Sequence, residues 1–313
     1  MKKLIVTIPA YNEEKFIGDV IKEIPRFIDG IDKVEVLVLN DGSKDNTVNV
    51  AREAGADYVI SHNTNKGLAK TFKDAVEEAL NRGADIIVNT DADNHYNQSK
   101  IPLLLEPILN NKADIVIGSR EVKNLDHMPA TNKYGNLMGS WFVCKLANLP
   151  QVDVSSGFRA YSKEAALKMN VLSPHTYTHE TLIQANDHKL TIAEVPILAR
   201  EVKRKSKLIK SIPNHIIKSL SVIFRTFTLY KPMRVFLVIG GFLFILGIIP
   251  IIRFIYFYYN GSGAGHIQSL IVGTMIVLIG FITTVMAMLA SAIGWNRKLI
   301  EELLFRIKKI EKQ

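Results

Sequence analysis

The first 120 residues alternate short apolar runs with longer amphipathic stretches. The apolar runs predict five strands, over residues 4–8, 34–39, 58–61, 86–90 and 115–118. Between them, apolar side chains recur at helical spacing over residues 13–24, 45–54, 68–81 and 101–110, with Asp45 as an N-cap. Strands separated by single helices form a parallel sheet that is covered on both faces. The pattern therefore predicts an α/β domain built on a mostly parallel sheet.

The alternation continues less regularly to about residue 210. Residues 152–159 indicate a loop leading into a strand, residues 178–187 a helical stretch, and residues 190–198 a further strand. A run rich in Lys and Arg follows, and most side chains of such a run lie on a solvated surface. Its members are Arg200, Lys203, Arg204, Lys205 and Lys207. We therefore assign only Arg204 and Lys207 of this run to a site.

The last hundred residues change in character. Apolar positions near helical spacing over 213–231 predict an interfacial helix, although a core helix has the same pattern. Residues 235–259 and 267–293 are each long and apolar enough to cross a bilayer. We therefore divide the chain into a catalytic domain (1–210), an amphipathic segment (211–234), a transmembrane hairpin (235–293) and a basic tail (294–313).

Charged residues near the hairpin predict its orientation. Basic residues flank it on both sides: Arg225, Lys231 and Arg234 before it, and Arg297, Lys298, Arg306, Lys308 and Lys309 after it. The connection over 260–265 carries no charge, so the positive-inside rule places both termini and the first domain in the cytoplasm. Lys2 and Lys3 lead directly into a strand, which is not typical of a signal peptide. We expect a multi-pass protein of the cell membrane; the alternative is a buried apolar hairpin in a soluble protein.

Composition narrows the classes of partner. The 313 residues include 39 Lys+Arg and 30 Asp+Glu, for a formal net charge of +9. Such an excess favours an anionic partner, which could be nucleic acid, a membrane surface or a phosphorylated substrate. The single cysteine, Cys144, lies in an apolar run and cannot form an intramolecular disulfide.

Polar residues follow each predicted strand, at positions 9–13, 40–43, 65–67, 91–93 and 119–120. Ligands of parallel α/β sheets bind beyond the carboxyl ends of the strands. Asp91 and Asp93 could share one hard cation, Mg²⁺ or Mn²⁺, and leave its other positions to water and substrate phosphates. The sequence therefore predicts a metal-assisted site for a phosphorylated ligand at this edge.

Four of these motifs together resemble the family 2 glycosyltransferases. They are Pro9-Ala10-Tyr11-Asn12-Glu13, Asp41-Gly42-Ser43 with Asp45 and Thr47, Asn65-Lys66-Gly67-Leu68, and Asp91-Ala92-Asp93. Later motifs resemble the dolichyl-phosphate mannose synthase branch, which glycosylates polyprenyl phosphates: Gly118-Ser119-Arg120, Ser155-Ser156-Gly157-Phe158-Arg159 and Ser206-Lys207. The resemblance covers roughly residues 3–210. It implies a GT-A type domain, a nucleotide-sugar donor, a polyprenyl (dolichyl) phosphate acceptor, membrane lipids around the hairpin, and no nucleic acid.

The resemblance also implies roles for individual residues. The donor would be bound by Pro9, Tyr11, Glu13, Asp41, Lys66 and Asp91, and the metal by Asp91, Asp93 and His95. The catalytic group would comprise Asp93, Arg120, Arg159, Arg204, Lys207 and Glu180. Arginine and lysine suit phosphate oxygens. Since a phosphate monoester is already ionised, Glu180 would act as a base only if the acceptor were a hydroxyl.

Two positions depart from the family pattern. Asn40 stands where the family usually has a first Asp, so Asp41 must supply the charge there. His95 stands where Gln is common after the paired acids, and a histidine ligates metal only when it is neutral. A loop histidine without contacts is an equally good interpretation of His95.

These observations predict an inverting, metal-dependent transferase. It would move one sugar from a GDP- or UDP-linked donor to a polyprenyl phosphate, and a homo-oligomer is compatible with the sequence. One alternative is a membrane polysaccharide synthase with a hydroxyl acceptor. Another is a nucleotide-sugar-binding membrane protein that has lost turnover through Asn40 and His95.

Overall fold

The computed structural model describes residues 1–120, 139–141, 143–145, 148–172, 176–197, 200, 228 and 232–312. It divides into two compact units. One comprises Met1–Ile223 with Leu303–Gln313, and the other comprises Phe224–Glu302. Arg204, Lys207 and almost all of the predicted interfacial helix over 213–231 lie outside the described residues.

The first unit alternates strands and helices as expected. Its elements are β1 (Lys3–Ala10), α1 (Ile17–Glu23), β2 (Lys33–Asn40), α2 (Thr47–Glu53), β3 (Tyr58–Ser61), α3 (Leu68–Asn81), β4 (Ile86–Asn89), α4 (Ile101–Leu109), β5 (Ile115–Ser119), β6 (Arg159–Ser162), α5 (Lys163–Lys168), α6 (Thr178–Asp187) and β7 (Ile192–Pro196). The five predicted strands of the first 120 residues are all present. Helix α2 begins later than predicted, at Thr47, whose backbone N–H still donates to Asp45 Oδ1 (3.1 Å).

The seven strands form one mixed sheet in the order β3-β2-β1-β4-β6-β5-β7. Strand β6 runs antiparallel to both of its neighbours, β4 and β5, and every other pairing is parallel. The α/β fold class is therefore confirmed.

The reversed strand β6 determines what meets at the carboxyl edge of the sheet. A parallel strand contributes the loop that follows it, whereas an antiparallel strand contributes the loop that precedes it. The pairing of Asn89 with Arg159 places the end of β4 beside the start of β6. The loop after β4 and the loop before β6, which are far apart in sequence, are therefore brought together.

Apolar side chains fill both faces of the sheet. Leu4, Val6 and Ile8 pack on the face covered by α1, α2 and α4, while Ile5 packs on the other face beside Phe72 of α3. Burial on both faces explains why β1 is a nearly continuous apolar run rather than an alternating one.

The second unit contains helix α7 (Pro232–Tyr259) and most of helix α8 (Ile267–Glu311), as far as Glu302. Both are long and apolar enough to cross a membrane. They are therefore candidate membrane spans at the positions predicted from the sequence.

Two pairs of glycines bring these helices into close contact. A Cβ on Gly240 would lie 2.9 Å from the carbonyl oxygen of Gly280, and one on Gly247 would lie 2.9 Å from that of Gly273. Each reciprocal approach is equally close, at 2.9 Å for Gly280 and 2.8 Å for Gly273. Small residues let helix backbones approach in this way. Any larger side chain at these four positions would force the helices apart.

Helix α8 continues beyond the boundary predicted at 293, so the basic tail is not a separate segment. Its last residues, Leu303–Gln313, belong to the unit that contains the sheet. Phe305 packs against the cluster around Phe72, and Lys308 Nζ donates to Asn170 Oδ1 (2.9 Å).

Candidate active site

Asp91 follows β4 at the carboxyl edge of the sheet, and its carboxylate lies against Gly157. A Cβ added to Gly157 would come within 2.9 Å of both carboxylate oxygens. Burial raises the pKa of Asp91 to about 7, and the charges of Asp93 and Glu13 act in the same direction, against Arg120 and Arg159. The acidic side chains of Asp91, Asp93 and Glu13 therefore lie close enough to interact, beside the cations Arg120 and Arg159.

The backbone of Gly157 is fixed on both sides. Its N–H donates to Tyr96 Oη (3.2 Å), and its carbonyl oxygen accepts from Asn89 Nδ2 (3.0 Å). The same amide donates to Tyr177 Oη (2.9 Å), and the Tyr177 ring stacks on Phe72 with centroids 3.8 Å apart. Buried aromatic side chains therefore hold the loop before β6 rigidly against Asp91.

Arg159 is fully buried, and its guanidinium binds protein oxygens. Nε donates to Ser156 O (2.8 Å), Nη2 to Val154 O (2.7 Å), and Nη1 to Thr178 O and Thr181 Oγ1 (2.9 Å each). The expectation that Arg159 faces an acceptor phosphate is therefore corrected, because four of its five N–H groups already have partners. Arg159 instead shapes the loop that carries Gly157.

Arg120 is paired with Asp153 in a bidentate arrangement. Its Nε lies 2.8 Å from Asp153 Oδ2 and its Nη2 lies 3.0 Å from Oδ1, with a further bond to Ser155 Oγ. Burial opposes ionisation of Asp153, but Arg120 outweighs it and lowers the pKa of that carboxyl. The positive charge of Arg120 also reaches Asp91. Arg120 thus lies near Asp91, at the predicted site. Its bonds to Asp153 and Ser155 also fix the first part of the loop before β6.

The loops after β1 and β2 are bonded to each other. Asn12, in the left-handed region at φ 55°, donates its N–H to Ser43 Oγ (2.9 Å) and accepts from Lys44 N (2.9 Å). Glu13 N donates to Thr47 Oγ1 (2.9 Å). These cross-links explain why the two motifs occur together, and they give Asn12 a role that the sequence did not assign.

Asp41 connects the loop after β2 to the start of α3. Its Oδ1 accepts from Lys66 N (2.8 Å) and its Oδ2 from Gly67 N (2.9 Å), while His62 Nδ1 lies 2.9 Å from Oδ1. Burial opposes ionisation, but these hydrogen bonds outweigh it and lower the pKa of Asp41. The structure shows Asp41 as an anchor for the loop 65–67, and a direct contact with the donor stays a prediction.

Asn40 has a structural reason for its departure from the family pattern. Its Nδ2 donates to Ser61 Oγ (3.1 Å) and its Oδ1 accepts from Ser43 N (3.1 Å). The amide satisfies both neighbours without a second buried charge beside Asp41. The substitution therefore preserves the loop geometry.

The other residues expected to bind the donor line the same edge. Pro9 is buried in β1, Glu13 is buried beside Asp91, Tyr11 is 39% exposed, and Lys66 is exposed. An exposed aromatic ring beside buried acids is suitable for stacking against a base. Their contacts with a donor stay predictions.

The donor set at Asp91 and Asp93 fits Mg²⁺ or Mn²⁺. Both are hard oxygen ligands, and the negative charges of Asp93 and Glu13 beside Asp91 favour a cation there. Within the described part of the chain, no three His, Cys, Asp or Glu side chains are assembled at metal-binding spacing. An ion held by Asp91 and Asp93 would leave its other positions to water and substrate. The His95 ring packs edge-on against Tyr96, 5.2 Å between centroids, and its role as a ligand stays a prediction.

Glu180 is buried in the first turn of α6, where both of its oxygens accept from Leu172 N (3.1 Å each). Gln184 Nε2 also donates to Oε1 (3.3 Å). These bonds favour a structural role for Glu180 over a role as general base. An ionised acceptor phosphate would need no such base.

Arg200 is a residue that the sequence analysis placed on a solvated surface. It instead forms a bidentate pair with Glu23, its Nη1 donates to Asn94 Oδ1 (2.8 Å), and its backbone N–H donates to His95 O (2.8 Å). Arg200 therefore ties the start of the basic run to the loop that carries Asp93. The only sequence signal was its position before Arg204 and Lys207.

Comparison with solved structures supports the fold. Glucosyl-3-phosphoglycerate synthase of Mycobacterium tuberculosis, in complex with Mn²⁺, UDP and phosphoglyceric acid, is 22% identical with a TM-score of 0.54. The match covers 71% of this chain and 78% of that one. At this identity the likeness concerns the GT-A fold.

Relatives at higher identity are named as lipid-phosphate glycosyltransferases. UDP-N-acetylglucosamine–dolichyl-phosphate N-acetylglucosaminyltransferase of Methanococcus voltae is 33% identical over 220 residues, covering 63% of this chain and 85% of that protein. Dolichyl-phosphate hexose transferase of Haloferax volcanii is 33% identical over 206 residues, covering 66% and 86%. The family model "Glycosyl transferase family 2" matches residues 5–169, which include the paired acids and the loop of Gly157. The chain therefore belongs to the family 2 glycosyltransferases.

Proposed function

We propose that this protein transfers a single sugar from a nucleoside diphosphate sugar to a polyprenyl phosphate at the cytoplasmic face of the membrane. The observation that carries the proposal is the acidic cluster of Asp91, Asp93 and Glu13 at the carboxyl edge of the sheet, where Asp91 lies against Gly157. It lies in a chain with two candidate membrane spans. Relatives named as dolichyl- and undecaprenyl-phosphate transferases support a lipid phosphate as the acceptor.

In the proposed reaction, an acceptor phosphate oxygen attacks C1 of the sugar as the bond from C1 to the nucleoside diphosphate breaks. One displacement inverts the configuration at C1 and releases the nucleoside diphosphate. A divalent ion held by Asp91 and Asp93 would supply positive charge to the diphosphate. The structural neighbour that binds Mn²⁺ with UDP supports this assignment.

The protein's own residues orient the reactants. Gly157 lets the loop before β6 approach Asp91 without a side chain in between. Arg120 contributes positive charge beside Asp91, and we assign Arg204 and Lys207 to the acceptor phosphate. A phosphate monoester, with a second pKa of about 6, needs no proton removed before it attacks. The proposed reaction therefore needs no general base, and Glu180 can accept a structural hydrogen bond from Leu172 N.

Radiolabelled donors test the proposal directly. Purified protein would be incubated with UDP- or GDP-linked sugars, a polyprenyl phosphate and Mg²⁺ or Mn²⁺. We expect the label to appear in the lipid fraction, and we expect EDTA to prevent this transfer. Label in a polymer would instead support a hydroxyl acceptor, and no transfer across a full donor panel would contradict the proposal.

Cysteine labelling tests the proposed membrane face. A cysteine at Ser262 should react with an impermeant thiol reagent applied outside the cell, and one at Lys112 should not. The native Cys144 is buried and provides the background. Reversed labelling would exclude a cytoplasmic donor site.

A further inference from the structure

His62 lies between two carboxylates just beyond β3. Its Nδ1 is 2.9 Å from Asp41 Oδ1, and its Nε2 is 3.1 Å from Asp74 Oδ2. The imidazole side chain is only 8% exposed. A neutral imidazole has one N–H, so only the protonated ring can donate to both carboxylates. When the ring is neutral, one contact sets a nitrogen lone pair against a negatively charged oxygen.

His62 links two elements through its carboxylate partners. Asp41 faces it from the end of β2, and Asp74 faces it from α3. Lys70 Nζ, one turn earlier on α3, lies 2.5 Å from Asp74 Oδ1, and Thr71 Oγ1 donates to Gly67 O (2.9 Å). Helix α3 is therefore connected, through Asp74 and His62, to the carboxylate that anchors the loop 65–67.

The contact between His62 and Asp41 affects the loop 65–67, which lies on the donor side of the site. The same carboxylate receives the N–H groups of Lys66 and Gly67, and Gly67 has φ +89°. A Cβ on Gly42 would lie 3.0 Å from Asn65 N, so the loops after β2 and β3 are in direct contact. A shift of Asp41 away from His62 would therefore move both loops together.

We propose that His62 is a positioning residue, which holds Asp41 and the loop 65–67 in the geometry that binds the nucleoside diphosphate part of the donor. This inference rests on the proposed function. It predicts that loss of the imidazole loosens the loop and lowers nucleotide affinity. Nothing in the reaction requires His62 itself to touch the substrate.

Amide hydrogen exchange of the full-length protein tests the inference without any donor. At one fixed pH, protection of the Lys66 and Gly67 amides should be roughly tenfold lower in His62→Ala than in the wild type, the weight of one charge-assisted hydrogen bond. In His62→Gln, whose amide can still donate to one carboxylate, part of the protection should return. Asp74→Asn leaves the contact with Asp41 in place and should reduce protection less than His62→Ala. The matched control is His188→Ala at the end of α6.

Calorimetric titration with UDP and GDP, with Mg²⁺ present, gives the second measurement. His62→Ala should bind the nucleotide roughly tenfold more weakly than the wild type, and His62→Gln should recover part of that loss. The inference is overturned if the Lys66 and Gly67 amides are as well protected in His62→Ala as in the wild type. If exchange behaves as expected but neither nucleotide binds, the positioning of the loop is supported and the proposed function fails.

Discussion

Gly157 and Asp91 are in direct contact, with room for a hydrogen but not for a methyl group between them. Both oxygens of the Asp91 carboxylate would lie 2.9 Å from a Cβ at position 157. Because Gly157 is bonded to Tyr96 and Asn89, the loop cannot withdraw to make space. The orientation of the carboxylate thus depends on a glycine 66 positions later in the sequence.

Gly157→Ala should therefore reduce transfer through displacement of Asp91. A shift of about 1 Å in a catalytic site can cost roughly a hundredfold in rate, and we expect a loss of that order in kcat. Initial rates with saturating donor and lipid measure it. Gly139→Ala is the matched control, since a Cβ there meets nothing within 4 Å. Equal activity of the two variants would contradict the contact.

Asp91→Asn should abolish transfer and yet stabilise the metal-free protein at alkaline pH. The folded pKa of Asp91, about 7, is above the unfolded value, so the folded state binds more protons between about pH 4 and 7. Its contribution to stability is present below about pH 4 and is lost as pH rises through 7. Thermal unfolding in EDTA should then give a higher Tm for Asp91→Asn than for the wild type at pH 8, and little difference at pH 4. A lower Tm for Asp91→Asn at pH 8 would contradict this, because it would show that nearby cations and hydrogen bonds stabilise the ionised Asp91 carboxylate in the folded protein.

Arg159→Lys should lower stability even though it keeps the positive charge. An ammonium cannot reach the four oxygens that the guanidinium binds, and each buried acceptor left unpaired costs about 1–3 kcal/mol. Denaturant unfolding in detergent should show a loss of about 2–5 kcal/mol. The exposed Arg52→Lys should change the free energy of unfolding by less than about 0.5 kcal/mol. If Arg159→Lys were stable but had a raised KM for the lipid, Arg159 would instead be assigned to the acceptor phosphate.

Lys207→Met should weaken the use of the lipid rather than the nucleotide. Charge-assisted contacts are worth about 1.5–3 kcal/mol, so kcat/KM for the lipid should fall about ten- to a hundredfold. Glu180→Gln should leave the shape of the pH–rate profile unchanged, because Glu180 is bonded to Leu172 N. Steady-state kinetics with varied lipid distinguish the two, with Lys112→Met as a surface control. A profile in Glu180→Gln that has lost its acidic limb would indicate a hydroxyl acceptor.

Two adjacent glycines of the hairpin, Gly240 and Gly241, should respond differently to substitution in their effect on stability. Gly240→Leu should destabilise the packing of α7 on α8 by about 1–3 kcal/mol, since a Cβ there would lie 2.9 Å from Gly280 O. Gly241→Leu should have little effect, because a Cβ there meets nothing within 4 Å. The melting temperature in detergent compares the two directly. Equal values would mean that the helices do not meet at this face.

The strands and the acidic pair could be predicted because their signals are local. An apolar run of four to eight residues followed by polar ones identifies a strand and its carboxyl end without knowledge of its neighbours. The role of Arg159 could not be predicted in this way. Whether a guanidinium meets a phosphate or three carbonyls and a hydroxyl depends on strand β6, which runs antiparallel between β4 and β5. The same reversal determines that Gly157 meets Asp91.

Contacts between distant loops were also beyond the sequence pattern. Arg200 looked like one more cation in a basic run, and its partner Glu23 is 177 positions away. His62 belongs to no motif, because its importance arises only when α3 brings Asp74 opposite Asp41. Spacing within one element predicts neither relationship.

The spacing of the hairpin glycines creates an ambiguity that the turn must resolve. Gly240 and Gly247 are one heptad apart, as are Gly273 and Gly280, so sliding one helix by seven residues would still match one glycine pair. The turn after α7 excludes that slip. Gly261, at φ +76°, allows the N–H groups of 261 and 262 to bond back to the helix at Tyr258 O and Phe257 O, which fixes the residue at which α7 stops. A single terminating glycine thus selects one of two otherwise similar alignments of the helices.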